Sequence, residues 1–280
     1  GGIPVAKIIE TTFTGDSIKC IGGILNNESN YIYSLMENDN LEFEEAVEKL
    51  KEREYRKNTD ISNLTEYETV SELVILGLYA MNTAIILKNM DTTATIHPDK
   101  NDFIGCKKLG YTIKPMGILN KDIDGVTYYT GPVAVKTQDI LANISWDNCL
   151  VFLEGEKSGR LGLTSQNKGG DPTALAMFDD LVNLLTLKRN KNPTKINVHE
   201  KSPQKCLNGK HIFSIPWYRG INDFITAITL EEGIPVSNMF ELQGILFLES
   251  GEISWSRKEE LTRRLMEEGI QIKNSFPIFS

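Results

Sequence analysis

YRKNTDISNLTEYETVSELVILGLYAM, residues Tyr55–Met81, is the stretch that decides the fold. Its second half carries apolar residues at spacings of three and four, which predict the buried face of a helix. The residues of that face are Val70, Leu73, Val74, Gly77, Leu78 and Met81. Thr65 and Glu68 form a Thr-x-x-Glu capping box, which predicts where the helix begins. The polar first half predicts a loop, and loops held by rigid helices often carry functional side chains.

Composition limits the classes of protein to which this chain can belong. It has 280 residues, 40% of them hydrophobic, and a chain of this length is expected to form about two domains. The net charge of −8 argues against a nucleic-acid partner, because such partners select basic surfaces. No apolar run approaches the length of a membrane-spanning helix, so we expect no membrane partner. We also find no signal peptide.

Cysteines and histidines are spread too widely to predict a disulfide framework or a zinc site. No two cysteines form a Cys-x-x-Cys pair, a pattern typical of reduced thiols in a cytoplasmic protein. The histidines lie in separate segments and do not have the spacing of metal ligands. The residues concerned are Cys20, Cys106, Cys149, Cys206, His97, His199 and His211.

Strand and helix patterns alternate along the first two thirds of the chain. Strands are predicted where β-branched residues cluster between turn residues, and helices where apolar residues recur on one face. Predicted strands are Ser17–Leu25, Thr93–Ile96, Tyr111–Leu119, Val126–Val135 and the hairpin Cys149–Glu154 with Arg160–Thr164; predicted helices are Glu42–Glu54 and Asp102–Leu109.

Four short motifs, within Gly1–Val5, Asn26–Tyr31, Lys107–Tyr111 and Gly169–Val182, resemble those of homoserine dehydrogenases. The family has Gly-Gly-Ile-Pro-Ile, Asn-Gly-Thr-Thr-Asn-Tyr-Ile, Lys-Arg-Leu-Gly-Tyr, and a Gly-rich turn with Pro-Thr-Ala followed by Asp-Leu-Val. The matching residues are Gly1–Val5, Asn26 with Asn30 and Tyr31, Lys107–Tyr111, and Gly169–Ala174 with Asp180–Val182. The resemblance implies an α+β (α/β) fold, with a mixed β-sheet covered by helices in residues 1–188.

The resemblance also assigns family positions to site residues, most of which are substituted here. The catalytic lysine position falls on Glu72, and substrate-binding positions fall on Lys57, Asn63 and Glu68. Cofactor-binding positions fall on Asn26 and Glu54, the second of which replaces a loop glycine. Backbone carbonyls of Gly1 and Ile3 correspond to half of the family's sodium site.

These substitutions reverse the charges that the family's reaction needs. Members interconvert aspartate semialdehyde and homoserine with NAD(P), and a lysine near the carbonyl assists proton transfer. A carboxylate at Glu72 would repel the oxyanion that an ammonium stabilises. Lys57 likewise stands where a carboxylate would hold the substrate ammonium. Three interpretations stay open: Lys57 and Glu72 pair with each other, each is solvated independently, or they form a new binding site.

Nothing in the sequence predicts a nucleotide-binding half. No Gly-x-Gly-x-x-Gly follows a strand, and in the family the Gly-Gly-Ile-Pro-Ile motif lies at the crossover from the nucleotide domain. We therefore expect that this chain lacks the Rossmann half and binds no cofactor, whereas the complete family enzyme uses NAD(P).

The order of predicted elements changes in the C-terminal part. Residues 189–208 are polar with two prolines and are typical of a linker. Residues 209–280 predict the order βαββαβ, ending in a strand at Ile270–Ile278, which is typical of a ferredoxin-like unit. This part resembles an ACT domain, an amino-acid-sensing module. The family's ligand loop falls on Trp217, Tyr218 and Gly220, with its aspartate replaced.

Two functional hypotheses follow. The first is a homoserine dehydrogenase-like protein of threonine and methionine metabolism that is inactive as this chain stands. The alternative is a non-catalytic ACT-domain sensor of an amino acid, or an interaction scaffold. For either, the long strands of the mixed sheet lead us to expect a homodimer, as in the family.

Overall fold

A long mixed β-sheet with helices packed on it runs through the described chain. The computed structural model describes residues 3–54, 66–90, 97–166, 170–186, 197–198 and 204–279. Its helices are α1 Val5–Thr12, α2 Asn27–Asp39, α3 Phe43–Glu54, α4 Glu66–Met81, α5 Lys100–Lys108, α6 Gly170–Thr186, α7 Ile221–Glu231 and α8 Trp255–Glu267. Two short 3-10 helices lie at Leu87–Asn89 and Ile140–Asn143.

The strands form one large sheet and one small pair. They are β1 Ile18–Ile24, β2 Thr83–Ala84, β3 Tyr111–Lys121, β4 Val126–Lys136, β5 Asn148–Gly155, β6 Gly159–Gln166, β7 Asn197–Val198, β8 Gln204–Lys205, β9 His211–Pro216, β10 Val236–Leu242, β11 Ile245–Ser250 and β12 Asn274–Phe279. The order is β10-β11-β9-β12-β4-β3-β1-β5-β6, with β8 also beside β4. Within the large sheet, neighbours are antiparallel except that β12 and β8 run parallel to β4; the small pair of β2 and β7 is parallel. The predicted mixed sheet is therefore confirmed.

Helix α4 packs its apolar face on this sheet, as its spacing predicts. Val70 and Leu73 are fully buried, in a cluster that also contains Leu119 of β3. Gly77 makes the close approach possible, because a Cβ there would lie 2.7 Å from Leu119 Cδ2. Thr65, the predicted cap, lies outside the described residues, as does the predicted strand Thr93–Ile96.

Most predicted boundaries agree with the structure within a few residues, and one error has a clear cause. The last strand was expected from Ile270 but begins at Asn274. Gly269 has a positive φ of 78°, and the N–H of Ile270 donates to the carbonyl of Leu265 at 2.9 Å. The chain is therefore closing the end of α8 at Ile270, which is buried as part of that helix end.

The predicted linker contains two short strands among its described residues. β7 pairs with β2, and β8 pairs with β4. Residues 209–279 then follow the element order β9-α7-β10-β11-α8-β12, the order of a ferredoxin-like unit. Because β12 also pairs with β4, this unit and the preceding one share a continuous sheet. The domain boundaries 1–188, 189–208 and 209–280 stay predictions.

Helix α6 exposes large apolar side chains along its length. Leu175, Met177, Phe178, Leu184 and Leu185 are each more than half exposed. Within the described residues, no helix combines the length and apolar character needed to cross a bilayer.

Candidate functional site

The starts of α2 and α4 meet at one end of β1. Asn26 caps α2, because its side-chain oxygen accepts a hydrogen bond from the N–H of Ser29 at 2.8 Å. The amide nitrogen of Asn26 donates to Glu68 Oε2 at 2.9 Å. Two of the predicted site residues, separated by 42 positions in sequence, are thus in direct contact.

Glu72 lies one helical turn beyond Glu68, on the same side of α4. Desolvation, with a smaller contribution from the charge of Glu68, raises the pKa of Glu72 to about 7, although much of the Glu72 side chain is open to solvent. Burial raises the pKa of the Cys149 thiol to about 11, and the charge of Glu72 adds to this. Glu72 therefore lies near the start of β5 as well as beside Glu68.

Glu66, the first residue of α4, turns the other way, into the protein. It is only 8% exposed. Its Oε2 accepts hydrogen bonds from the hydroxyl of Thr130 and from Lys205 Nζ, the latter at 3.0 Å. The Lys205 ion pair fixes β8 against the start of α4.

A small cavity lies behind Glu66. Its volume is about 40 Å³, enough for ordered water but not for an amino acid. Phe43 and His97, which line it, stack with ring centroids 3.8 Å apart. Burial lowers the pKa of His97, so this ring is neutral at neutral pH.

Several predicted site residues cannot be located relative to this cluster. Lys57, Asn63 and Gly1 lie outside the described residues, so the proposed pairing of Lys57 with Glu72 stays a prediction. Glu54 ends α3, and its side chain is likewise outside the described part.

The sodium site also stays a prediction. The carbonyl of Ile3 accepts a hydrogen bond from the N–H of Val5 at 2.8 Å, which uses one of its lone pairs. Within the described part of the chain, no group of three or more His, Cys, Asp or Glu side chains could hold a metal ion.

The start of α4 lies in an acidic part of the described chain. Glu28 lies in the first turn of α2, two residues after Asn26. Glu68 and Glu72 lie on successive turns of α4. Carboxylates repel other anions and attract ammonium groups at short range, so this end of the described site favours a cation.

Lys114, on β3, is a buried lysine. Its side chain is 1% exposed, with Nζ 3.8 Å from Glu37 Oε2 and 3.4 Å from Ser145 Oγ. Burial lowers the pKa of Lys114, and Glu37 partly offsets this. These contacts tie β3 to α2 and indicate a structural role.

The predicted ligand loop of the C-terminal unit follows β9, on a different element from the α4 cluster. Trp217 and Tyr218 are exposed, and Gly220 caps α7 with a φ of 91°. The N–H of Trp217 donates to the carbonyl of Gly244 at 2.8 Å. The structure brings these three residues together; their ligand-binding role stays a prediction.

Sequence reasoning missed the Glu66, Thr130 and Lys205 contact. Glu66 is separated from Thr130 by 64 residues and from Lys205 by 139, so no local pattern connects them. The sequence signal for this contact was Glu66 itself, an acidic residue at the start of a core helix. Acidic residues are common at helix starts, so this signal does not indicate a buried ion pair.

Comparison with known proteins gives a consistent result. The family model for homoserine dehydrogenase matches residues 4–182. The homoserine dehydrogenase of Helicobacter pylori is 25% identical over 251 residues, covering 86% of this chain and 58% of the relative. That of Mycobacterium leprae is 28% identical over 187 residues, covering 65% of this chain and 42% of the relative.

Solved structures show the same fold. A homoserine dehydrogenase from Thiobacillus denitrificans superposes with a TM-score of 0.89 at 18% identity, covering 100% of this chain and 68% of that one. One from Staphylococcus aureus gives a TM-score of 0.78 at 18% identity, covering 95% and 66%.

This chain belongs to the homoserine dehydrogenase family, because the family model matches more than half of it. The chain spans about half the length of the curated relatives that it matches.

Proposed function

We propose that this chain is a homoserine dehydrogenase-like protein that binds an amino acid of threonine and methionine metabolism at the start of α4, without catalysing hydride transfer there. The contact of Asn26 with Glu68, with Glu72 on the next turn, supports this proposal. Two carboxylates on one side of a helix attract an ammonium group, which every amino acid carries.

The protonation of Glu72 controls this attraction, because Glu68 and Glu72 lie on successive turns of one side of α4. Because the pKa of Glu72 is about 7, its negative charge increases as the pH rises through neutrality, and binding of an ammonium group should strengthen with it.

The same charges argue against the family reaction. A carboxylate at Glu72 destabilises a developing oxyanion, and loss of even one stabilising donor typically lowers the rate by about 10²–10³-fold. The carboxylates also disfavour a bound dinucleotide, so we expect no cofactor for this chain.

Isothermal titration calorimetry with homoserine, threonine and NADP tests this proposal. We expect homoserine or threonine to bind, NADP not to bind, and Glu68→Gln to weaken amino-acid binding by about tenfold, the effect of losing one charge-assisted contact. Glu48→Gln, at an exposed carboxylate of α3, is the matched control and should bind like wild type. Binding of NADP, or full amino-acid affinity in Glu68→Gln, would contradict the proposal.

A second candidate function is amino-acid sensing or scaffolding by the C-terminal unit. Its βαββαβ order and the exposed rings of Trp217 and Tyr218 support an ACT-like role. In that case amino-acid binding should survive Glu68→Gln and be lost in Trp217→Ala. The two variants therefore separate the two functions.

Oligomeric state and location form part of the proposal. We expect a homodimer, and sedimentation at micromolar concentration should exclude a 31.4 kDa monomer if this is right. The strand residues that first suggested a dimer across the sheet are largely buried within the chain, so the exposed apolar face of α6 is the better-supported surface for it. The four separate free cysteines are consistent with a cytoplasmic location.

A further inference from the structure

We propose that a pocket between β4, β12 and α8 binds a small aromatic carboxylate. The pocket has a volume of about 270 Å³, close to the lower end of the range for small-molecule sites, roughly 300 Å³. It lies where the C-terminal unit joins the rest of the sheet, away from the Asn26–Glu68 contact. The inference does not depend on the function proposed above.

The walls of the pocket are mainly aromatic rings and prolines. Tyr129 and Trp255 stand edge to face with ring centroids 5.9 Å apart, and Pro277 lines the pocket on the β12 side. The Tyr129 hydroxyl donates to the carbonyl of Pro132 at 3.0 Å. Its polar end is therefore satisfied within the protein, and the ring presents an apolar surface to the pocket. Such walls favour a flat apolar group over a hydrated inorganic ion.

The charged side chains that line the pocket are both lysines. Among the described lining residues, Lys205 and Lys258 carry charge and none is acidic. Lys205 pairs with the buried Glu66 and is committed to that contact. Lys258 is 12% exposed, and its partner Glu259, with Oε1 at 2.8 Å, is 54% exposed. Because Glu259 is largely exposed to solvent, Lys258 can release it and bind the carboxylate of a ligand instead.

Two further contacts define how a ligand carboxylate would be held. Lys258 Nζ lies 4.6 Å from the centre of the Trp255 ring, which fixes the ammonium beside the aromatic wall. Asn274 donates to Asp102 at 2.6 Å and is occupied, whereas the neighbouring Ser275 lines the pocket. A carboxylate on Lys258 would place an attached ring against Tyr129 and Trp255.

Calorimetric titration of the full chain with phenylacetate, neutral phenylacetamide and inorganic phosphate tests this inference. We expect phenylacetate to bind, and phenylacetamide and phosphate to bind at least about tenfold more weakly, since each lacks one half of the recognition. Absence of phenylacetate binding would overturn the proposal. Equal binding of phenylacetamide would exclude the lysine contact, and equal binding of phosphate would exclude the aromatic walls.

Variants of Lys258 locate the binding to this pocket. Lys258→Gln should weaken phenylacetate binding by about tenfold or more, and Lys258→Arg, which keeps the charge, should stay within a few-fold of wild type. Lys49→Gln is the control for a general loss of positive charge. Unchanged phenylacetate affinity in a folded Lys258→Gln protein, checked by circular dichroism, would contradict the assignment. The outcome for phenylacetate is independent of the amino-acid-binding tests with Trp217→Ala and Glu68→Gln, because those residues do not line this pocket.

Discussion

Glu66 and Glu72 lie on the same helix but in opposite surroundings. Glu66 points into the protein, where Thr130 donates a hydrogen bond to it and Lys205 neutralises its charge. Glu72 points outward beside Glu68, where desolvation and a like charge raise its pKa to about 7. One carboxylate is compensated by its partners, and the other is held in an environment that destabilises its charge.

This difference separates a structural carboxylate from a candidate functional one. A buried charge is tolerated when an opposite charge and hydrogen bonds compensate it. A carboxylate with a raised pKa, placed beside a second carboxylate at a helix start, has the features of a ligand-binding group. The inward side of α4 thus fixes the fold, and its outward side is available for binding.

Removing the partner of Glu66 should have the largest effect on stability. Lys205→Met removes the cation that pairs with the nearly buried Glu66, and we expect the free energy of unfolding to fall by about 3 kcal/mol. Denaturation with urea measures this. Lys49→Met, which breaks the exposed pair with Asp39, is the matched control and should cost less than about 1 kcal/mol.

The double variant Glu66→Gln with Lys205→Met sharpens this prediction. It removes both charges, so much of the lost stability should return. If Lys205→Met unfolds at the same urea concentration as wild type, Lys205 does not compensate the buried charge of Glu66, and the contrast drawn between Glu66 and Glu72 is wrong.

Substitution of Asn26 should have an intermediate effect. Asn26→Ala removes the α2 cap, and caps of this kind typically contribute about 1 kcal/mol. Asn26→Asp keeps an oxygen for the N–H of Ser29 but replaces the donor to Glu68 with a like charge. Urea denaturation should show a smaller loss for Asn26→Asp than for Asn26→Ala. Equal losses would mean that the contact with Glu68, rather than the cap, stabilises this end of α2.

Glu72→Gln should have the smallest effect, and one that depends on pH. The folded-state pKa of Glu72 is raised from 4.5 to about 7. Its contribution to stability is therefore fully present below about pH 4.5 and is lost as the pH rises through 7. Glu72→Gln should match wild type at low pH and be more stable above pH 7, by less than about 1 kcal/mol because the side chain is partly exposed. Thermal unfolding at both extremes measures this, and a difference of equal size at low pH would contradict it.

Local sequence patterns predicted the elements of this fold better than the contacts between them. The apolar spacing from Val70 to Met81 is a property of one segment, and α4 forms there. The glycine at 269 shows the limit: it ends α8, and Ile270 looks like a strand residue yet packs with that helix end. Composition likewise indicated a linker before residue 209, where strand β8 in fact pairs with β4.

The candidate site could be predicted only in part. The resemblance gave Asn26 a cofactor-binding position and Glu68 a substrate-binding position, and the two are in contact, although no spacing in the sequence requires it. Glu66 and Lys205 were missed because their pairing depends on how β8 meets β4. The pocket at Lys258 draws on β4, β12 and α8, so only the folded chain reveals it.

Homoserine binding by wild type and by Glu72→Lys, measured calorimetrically at about pH 6 and about pH 8, tests the central claim most directly. Glu72 gains its charge between these values because its pKa is about 7. If the outward side of α4 holds an ammonium group, wild-type affinity rises with pH, and Glu72→Lys binds at least about tenfold more weakly at the higher pH. Glu72→Lys binding as tightly as wild type, or more tightly, would contradict the account.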